Sequence, residues 1–312
     1  MSNDKYGWER VKKFEGGWEM GFLKERILFN LSYFHNTTDN QLLSYPLPVI
    51  TGFTGVSENL PAIIRNSGIE IELLTAPLRS GKVTWRSGFN LTIPKNKLVK
   101  YPDLASSSYA NTYEVGMPLF IAKRYQFIGV NPMTGKYEFV DLNGDNVISN
   151  PSDRQFVVFT GQQYYGGWFN SVTWRNFNLS MQIQFIKQKS IPSYVTYFSR
   201  PGTISNQPVW VLERWRQSGD DTDIQAFTNS NSQANAAYSR FTQSNAAYSN
   251  GSFLRGKNLY LSYLFKPVPK KSSFTILIYG QLQNFFTISK YKGLDPETRG
   301  SVPPQRIIAF GI

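Results

Sequence analysis

The sequence predicts an all-β protein, built as an antiparallel up-and-down sheet of the kind that forms the wall of a membrane β-barrel. Three observations support this fold class. Apolar and polar residues alternate over long stretches, short and long connections alternate along the chain, and aromatic residues gather beside the short connections. The composition agrees, because 15% of the residues are aromatic and only 17% are charged, a balance that favours strands over surface helices.

The alternation is cleanest in Ile27–Asn36, Lys82–Ile93 and Asn176–Phe185. There, most alternate residues are apolar, and the residues between them are mainly Asn, Ser, Thr, Gln, Lys or Arg. A strand with this period presents one apolar and one polar face. We predict nine strands, at Phe14–Phe22, Ile27–Asn36, Ala62–Ala76, Lys82–Ile93, Gly161–Thr173, Asn176–Phe185, Ser252–Phe265, Ser273–Asn284 and Pro303–Ile312.

The connections between these strands are alternately short and long. The short ones are Leu23–Glu25, Pro77–Gly81, Trp174–Arg175 and Lys266–Ser272. The long ones are Asp39–Pro61, Pro94–Thr160, Lys187–Gly251 and Phe285–Val302. This order places every short turn at one end of the sheet and every long loop at the other, as in outer-membrane barrels.

Strand length separates a membrane barrel from a soluble β-sandwich. Tilted strands of about 9–11 residues cross a bilayer, whereas sandwich strands run about 5–6 residues and their loops rarely exceed about 15. The aromatic residues beside the short turns resemble an interfacial girdle; they are Phe22, Trp85, Trp174, Phe177, Phe265 and Phe274. We therefore expect the apolar face to meet lipid and the polar face to meet water.

Composition excludes several other classes. The chain has no cysteine, so a disulfide framework and a thiolate metal site are excluded. It has no apolar run long enough for a spanning helix, and Met1–Lys13 lacks the apolar core of a signal peptide. The net charge of +12 suits an anionic surface, but no basic groove interleaved with aromatics supports nucleic-acid binding. The basic residues beside the short turns suit lipid headgroups; they are Lys24, Arg26, Arg79, Lys82, Arg175, Lys266, Lys270 and Lys271.

One stretch is a candidate calcium loop. Asp141, Asn143, Asp145, Ser149 and Asp153 place oxygen atoms at intervals similar to those of an EF-hand. The last carboxylate comes one position late, and Asn146 stands where an EF-hand has glycine. An Asx-rich turn that satisfies its own backbone is the alternative interpretation.

Aromatic residues in and near the long loops are candidates for stacking on a sugar ring or packing against a partner protein. They are Tyr109, Tyr113, Tyr125, Tyr137, Tyr164, Tyr165, Trp210 and Trp215. The alternative is that these rings pack the loops onto one another.

Polar residues on the strands are expected to face a water-filled lumen. They are Glu70, Glu72, Arg86, Asn90, Gln182 and Gln184. Glu70 and Glu72 lie two residues apart, a spacing that suits the carboxylate pair of a glycosidase, but charge pairing across the strands explains them more simply. The only histidine, His35, lies at a predicted strand end and suits an interfacial ring. We expect no enzyme activity.

A set of short motifs extends over nearly the whole chain. Those near its end are Ser252–Asn258, Leu261–Tyr263, Gln283–Thr287, Lys290–Gly293, Asp295–Glu297 and Pro303–Pro304. Upstream are Trp8–Glu9, Gly21–Leu23, Arg26–Ile27, Asn66–Glu70, Asp141–Asp145 and Trp215 near Gly219–Asp220. In these motifs the chain resembles a known family, the SusC/RagA-type TonB-dependent outer-membrane transporters.

The resemblance implies a 22-stranded barrel with an N-terminal plug, energised through the TonB complex, that imports oligosaccharides or peptides with a SusD-type surface lipoprotein. Nine strands are fewer than half of that number, and the chain ends at Ala309–Ile312 without the closing aromatic residue usual in the family. We therefore expect residues 1–312 to be the C-terminal portion of such a barrel, without plug or signal peptide and unable to transport alone. The alternative is a soluble all-β carbohydrate-binding module.

Overall fold

The computed structural model describes residues 6–46, 50, 52, 55–79, 81–192, 195, 199–266 and 274–312. Most of these residues form strands. In chain order the strands are β1 (Arg10–Phe22), β2 (Ile27–Pro46), β3 (Gly55–Arg79), β4 (Val83–Lys100), β5 (Ile121–Arg124), β6 (Phe127–Val130), β7 (Tyr137–Phe139), β8 (Phe156–Phe159), β9 (Gln162–Trp174), β10 (Phe177–Ser190), β11 (Ser249–Asn250), β12 (Phe253–Phe265), β13 (Ile276–Ser289) and β14 (Ile307–Gly311).

Nine of these strands form one continuous sheet. Their spatial order is β1-β2-β3-β4-β9-β10-β12-β13-β14, and β11 pairs with β10 outside this path. Neighbours in this order pair antiparallel, from Phe22 opposite Ile27 at one end to Tyr279 opposite Gly311 at the other. The prediction of nine strands in an up-and-down antiparallel sheet is therefore confirmed.

Several predicted boundaries were wrong. β2 and β3 extend to Pro46 and back to Gly55, so most of the predicted first long loop is a β-ladder. Backbone pairing continues there although the apolar alternation has stopped, because ladder hydrogen bonds do not depend on which side chains the faces carry. β14 begins only at Ile307, since Pro303 and Pro304 have no N–H to give to a ladder.

The short turns lie together at one end of the sheet. Leu23, Lys24 and Glu25 turn the chain with three consecutive positive φ angles of 54°, 55° and 62°, and Arg175 turns the β9–β10 hairpin at φ 53°. Beside this hairpin the rings of Trp174 and Phe177 stack with centroids 5.9 Å apart. Ser80, Lys270 and Lys271, in the other two predicted turns, lie outside the described residues.

The two faces of the sheet differ in chemistry, as predicted. Residues directly opposite one another in an antiparallel ladder point to the same face. One such row joins four apolar residues, Trp18, Leu31, Ile71 and Leu91. The adjacent row, one residue further along, joins Glu19, Asn30, Glu72, Asn90 and Gly167. His35 lies on the apolar face within β2 rather than at a strand end, opposite Phe14.

At the end opposite the short turns, two long connections fold together. β5–β8 and β6–β7 belong to the connection between β4 and β9. Helix α1 (Ser232–Phe241) belongs to the connection between β10 and β12, and the side chain of Asn231 caps its first turn by accepting from the Ala234 N–H at 3.1 Å. We call residues 121–159 and 224–248 the loop cap.

The loop cap has a core of its own. Tyr125, Tyr137 and Phe139 from one connection are buried with Ala237 from the other. The two connections also share hydrogen bonds on both sides of Tyr125, whose N–H donates to the Gln243 carbonyl and whose carbonyl accepts from the Asn245 N–H at 3.0 Å.

None of the helices in the part of the chain that the structure describes is long and apolar enough to span a membrane.

Candidate functional site

The six residues predicted to line a lumen share one face of the sheet. Glu72 lies opposite Asn90, Asn90 lies opposite Gly167, and Gly167 lies opposite Gln184. Glu70, Arg86 and Gln182 follow at intervals of two to four residues on the same strands, and therefore point the same way. The structure brings Glu72, Asn90 and Gln182 together around a shallow depression of about 210 Å³. That this face meets a lumen stays a prediction.

The charge pairing expected for these residues does not form. Glu72 instead accepts a hydrogen bond from the Asn30 side-chain amide at 3.0 Å. Arg86 lies opposite Ser171, several rungs of the ladder away from Glu70 and Glu72. No ion pair among the described residues joins Arg86 to either carboxylate. The side chains of Glu70, Glu72 and Arg86 can therefore interact with solvent or with a ligand that lies along the polar face of the sheet.

Two adjacent glycines lie on β9 at the depression, of which Gly167 belongs to its lining and Gly166 faces the opposite side of the sheet. A Cβ atom on Gly166 would overlap the carbonyl oxygen of Asn90 and lie 2.6 Å from the Phe185 ring. The Gly167 N–H donates to the Asn90 side-chain oxygen at 2.7 Å. These two glycines were not among the predicted site residues, although glycines within a strand pattern indicate a close backbone approach.

The predicted ligand-contact aromatics divide into two groups. Tyr164, Tyr165 and Trp210 are exposed, with about 40% of each surface accessible. Tyr165 lies opposite Thr92 on the polar face. Tyr164 lies on the other face, with its ring centroid 6.5 Å from that of Phe185. Tyr165 and Trp210 are therefore the rings of this group that suit a ligand.

The remaining aromatics hold the loops together. Tyr125 is only 6% exposed within the core of the loop cap. Trp215 packs its ring over Gly135 and donates from its indole nitrogen to the Pro132 carbonyl at 2.9 Å. Tyr109 and Tyr113 pack on the buried cluster around Leu98. The rings of Tyr125 and Trp215 are thus covered by another part of a long connection, as the alternative interpretation proposed. Those of Tyr109 and Tyr113 instead lie against residues of strands β3 and β4.

The Asp141–Asp153 stretch forms a loop tied to its own backbone. Asp141 accepts from the N–H groups of Gly144 and Asn146, each at 2.7 Å. Asp153, which is fully buried, accepts from the N–H groups of Leu142 and Ser149, each at 2.7 Å. Among the described residues, no three acidic or histidine side chains form a metal-binding group. The calcium site stays a prediction, whereas the Asx-turn contacts are present in the structure.

Replacing Asp153 with asparagine should loosen this loop. The hydrogen bond from the Ser149 N–H, with others from Leu142 and Asn143, lowers the pKa of Asp153 below its ordinary value. A lowered folded-state pKa contributes stability at neutral pH that is lost as the pH falls below about 4. We expect the amide protection factors of residues 141–153, which correct for the intrinsic exchange rate at each pH, to fall in D153N at pH 7 and in the unsubstituted protein only in acid. D145N is the control, because Asp145 is exposed; equal exchange in both variants would contradict the assignment.

A buried ion-pair group connects strand β12 to the last long connection. Arg255 is 1% exposed and contacts Asp295 and, at 2.7 Å, Glu297. Lys257 adds a second contact to Glu297 at 3.1 Å. The sequence pattern around these residues carried the family resemblance, but nothing in it indicated that they meet, because about 40 residues separate the partners.

Comparison with known proteins agrees with the fold. Residues 2–146 match the family model described as "TonB dependent receptor-like, beta-barrel". The chain is 25% identical over 335 residues to the TonB-dependent receptor SusC of Bacteroides thetaiotaomicron, covering 99% of this chain and 32% of the relative. It is 23% identical to the TonB-dependent receptor P3 of Formosa agariphila, covering 95% of this chain and 31% of the relative.

Solved structures show the same backbone arrangement. The structure of the RagAB peptide transporter matches with a TM-score of 0.80 at 21% identity, over 99% of this chain and 35% of the matched chain. The RagAB peptide importer in its "closed-closed" state matches with a TM-score of 0.81. The chain spans about a third of the length of the relatives that it matches. The predicted resemblance to SusC/RagA-type proteins is thereby confirmed, and the chain has the fold of a TonB-dependent receptor β-barrel.

Proposed function

We propose that this chain forms the C-terminal part of the barrel wall in an outer-membrane TonB-dependent importer of oligosaccharides or peptides. One observation carries the proposal: nine antiparallel strands form a single sheet with one apolar and one polar face. The apolar face would contact lipid, and the polar face would line the lumen. The loop cap and the other long connections would then lie outside the cell.

The partners follow from the family resemblance. A SusD-type lipoprotein would cover the end of the barrel that carries the long connections, where Tyr165 and Trp210 expose their rings. Energy would come from the TonB complex through a plug in the full-length receptor. The similar proteins are named receptors and transporters rather than enzymes, which supports import rather than catalysis as the role of this chain.

A soluble carbohydrate-binding module agrees less well with the exposed surface. A soluble sheet must bury its apolar face against a second layer. Here, Trp18 is 62% exposed, Ile69 41% and Ile308 65%. Exposed apolar patches of this extent are typical of surfaces that meet lipid or a partner, and their position along the whole sheet favours lipid.

Neighbouring residues on β3 offer a direct test. Ile69 and Glu70 are both exposed, and as successive strand residues they point to opposite faces. I69K should destabilise the barrel by about 2–4 kcal/mol, because a charged side chain near the bilayer midplane loses its hydration. We expect less folded protein in the outer membrane and a lower unfolding temperature on heat-modifiability gels of the full-length receptor.

E70K is the matched control. It places the same side chain one residue away, on the face proposed to contact water, so assembly should match that of the unsubstituted receptor. Equal assembly of the two variants would contradict the assignment of faces, and recovery of the receptor in the soluble fraction would contradict the membrane location.

A further inference from the structure

Three of the long connections enclose a cavity at their meeting point. The cavity has a volume of about 590 Å³, within the range of about 300–1,000 Å³ that small-molecule sites occupy. We call it the three-loop cavity. Its lining includes Arg124 on β5, Lys189 at the end of β10, Tyr248 after the loop-cap helix, and Arg299 and Ser301 in the connection before β14.

The lining is strongly basic. Arg124, Lys189 and Arg299 contribute three positive charges, and the lining contains no acidic residue. A concave surface lined by charges of one sign concentrates a ligand of the opposite sign. Small-molecule pockets are usually lined mainly by apolar side chains with few polar groups. A lining with three positive charges and no negative one differs from this, and it favours an anionic ligand.

The nearest carboxylates of the same connection are already occupied. Asp295 and Glu297 precede Arg299 in sequence, but their side chains contact Arg255 and Lys257 on β12. Among the described residues, neither Lys189 nor Arg299 forms an ion pair. The two positive charges therefore have no fixed partner within the cavity.

Arg124 is held in position before any ligand arrives. Its Nε and Nη2 atoms donate to the Tyr248 hydroxyl at 3.2 and 2.8 Å, and its guanidinium lies 5.4 Å from the centre of the Tyr248 ring. A guanidinium has five N–H donors, so donors remain after these contacts. A preorganised arginine loses little conformational entropy when it binds an oxyanion, and its planar fork matches carboxylate and phosphate groups bidentately. Of these two groups, a carboxylate is the one that acidic oligosaccharides and acidic peptides both carry.

We infer that the three-loop cavity binds a carboxylate group of the imported ligand, so that the receptor selects acidic ligands. The inference rests on the proposed import function and adds the charge class of the ligand. A uronic-acid oligosaccharide and an acidic peptide share this chemistry. Arg124 would orient the carboxylate, and Lys189 at the end of β10 and Arg299 in the connection before β14 would add two further positive charges around it.

Calorimetric titration of the purified full-length receptor in detergent tests the inference. The acidic probes are trigalacturonate and tetraglutamate, and the neutral probes are galactotriose and tetraglutamine. At least one acidic probe should bind more tightly than its neutral counterpart, with an affinity that falls as salt is added. The K189Q/R299N double variant, in which Asn is chosen because Arg299 has φ 59°, should weaken acidic binding roughly tenfold.

K292Q is the matched control. Lys292 is exposed in the same connection as Arg299 but does not line the cavity, so its removal should leave the affinity unchanged. The acidic probe that binds identifies the source of the carboxylate. If neither acidic probe binds, or if K189Q/R299N binds as tightly as the unsubstituted receptor, the inference is wrong. Correct assembly in the outer membrane would then still support the proposed function, whereas failure to assemble would overturn both.

Discussion

Replacing Arg255 with methionine is expected to release the last long connection from the sheet. The substitution leaves Asp295, whose side chain is only 8% exposed, as a buried carboxylate without its cation. Removing one partner of a buried ion pair costs roughly 3–5 kcal/mol. We expect trypsin cleavage after Lys292 and Arg299 in the folded receptor to accelerate by about two orders of magnitude or more, because cleavage follows the population of the open form.

Two further variants distinguish the ion pairs from a general loss of packing. K257M removes a cation from the same group, but Lys257 and Glu297 are both about 30% exposed, so the cost should be about 1 kcal/mol or less. R255M/D295N removes both buried charges but keeps a side-chain oxygen that can accept from the N–H groups of Glu297 and Thr298, so trypsin should cleave it more slowly than R255M. Equal cleavage of R255M and K257M would show that the ion pairs do not hold this connection.

Replacing Gly166 with alanine is expected to separate β4 from β9. A methyl group at this position would overlap the Asn90 carbonyl oxygen, which belongs to the backbone and cannot rotate away as a side chain can. Overpacking of this kind costs typically about 1–3 kcal/mol. The full-length receptor carrying G166A should unfold at a lower temperature on heat-modifiability gels and should accumulate to a lower level in the outer membrane.

Gly167 is the matched control for this substitution. A Cβ atom there would lie 3.3 Å from the Ile183 carbonyl oxygen and 3.5 Å from the Asn90 side chain, contacts that small movements relieve. G167A should therefore cost less than about 1 kcal/mol. If G167A destabilised the receptor as much as G166A, the loss of glycine itself, rather than the approach of two backbones, would explain the result.

The sheet was predictable from the sequence because its determinants are local. Alternation along Lys82–Ile93 shows which residues share a face, and a tight turn such as Arg175 shows where the strand reverses. The two faces of the sheet differ in chemistry, so the same alternation appears in several strands. Asn90 and Gln182 could be placed on one face for this reason, without knowledge of their neighbours.

The loops were less predictable because their contacts are distant in sequence. Tyr125 pairs with Gln243 and Asn245, more than 100 residues away, so nothing near Tyr125 indicates that its ring is buried. The segment Asn-Ala-Ala-Tyr-Ser occurs twice in one long connection, beginning at Asn235 in helix α1 and at Asn245 in a 3₁₀ helix. Identical segments thus adopt different structures, because tertiary context decides between them.

The shared core of the loop cap constrains how such a receptor can diversify. Phe139 and Ala237 belong to connections from different hairpins, yet each covers the other. Shortening or exchanging one connection alone would expose the apolar residues of the other. A new sequence in one connection therefore requires a compensating change in the other. Chimeras that transplant both connections together should fold, whereas single-loop exchanges should not. The loop cap would then diversify by paired changes in two connections rather than by single insertions.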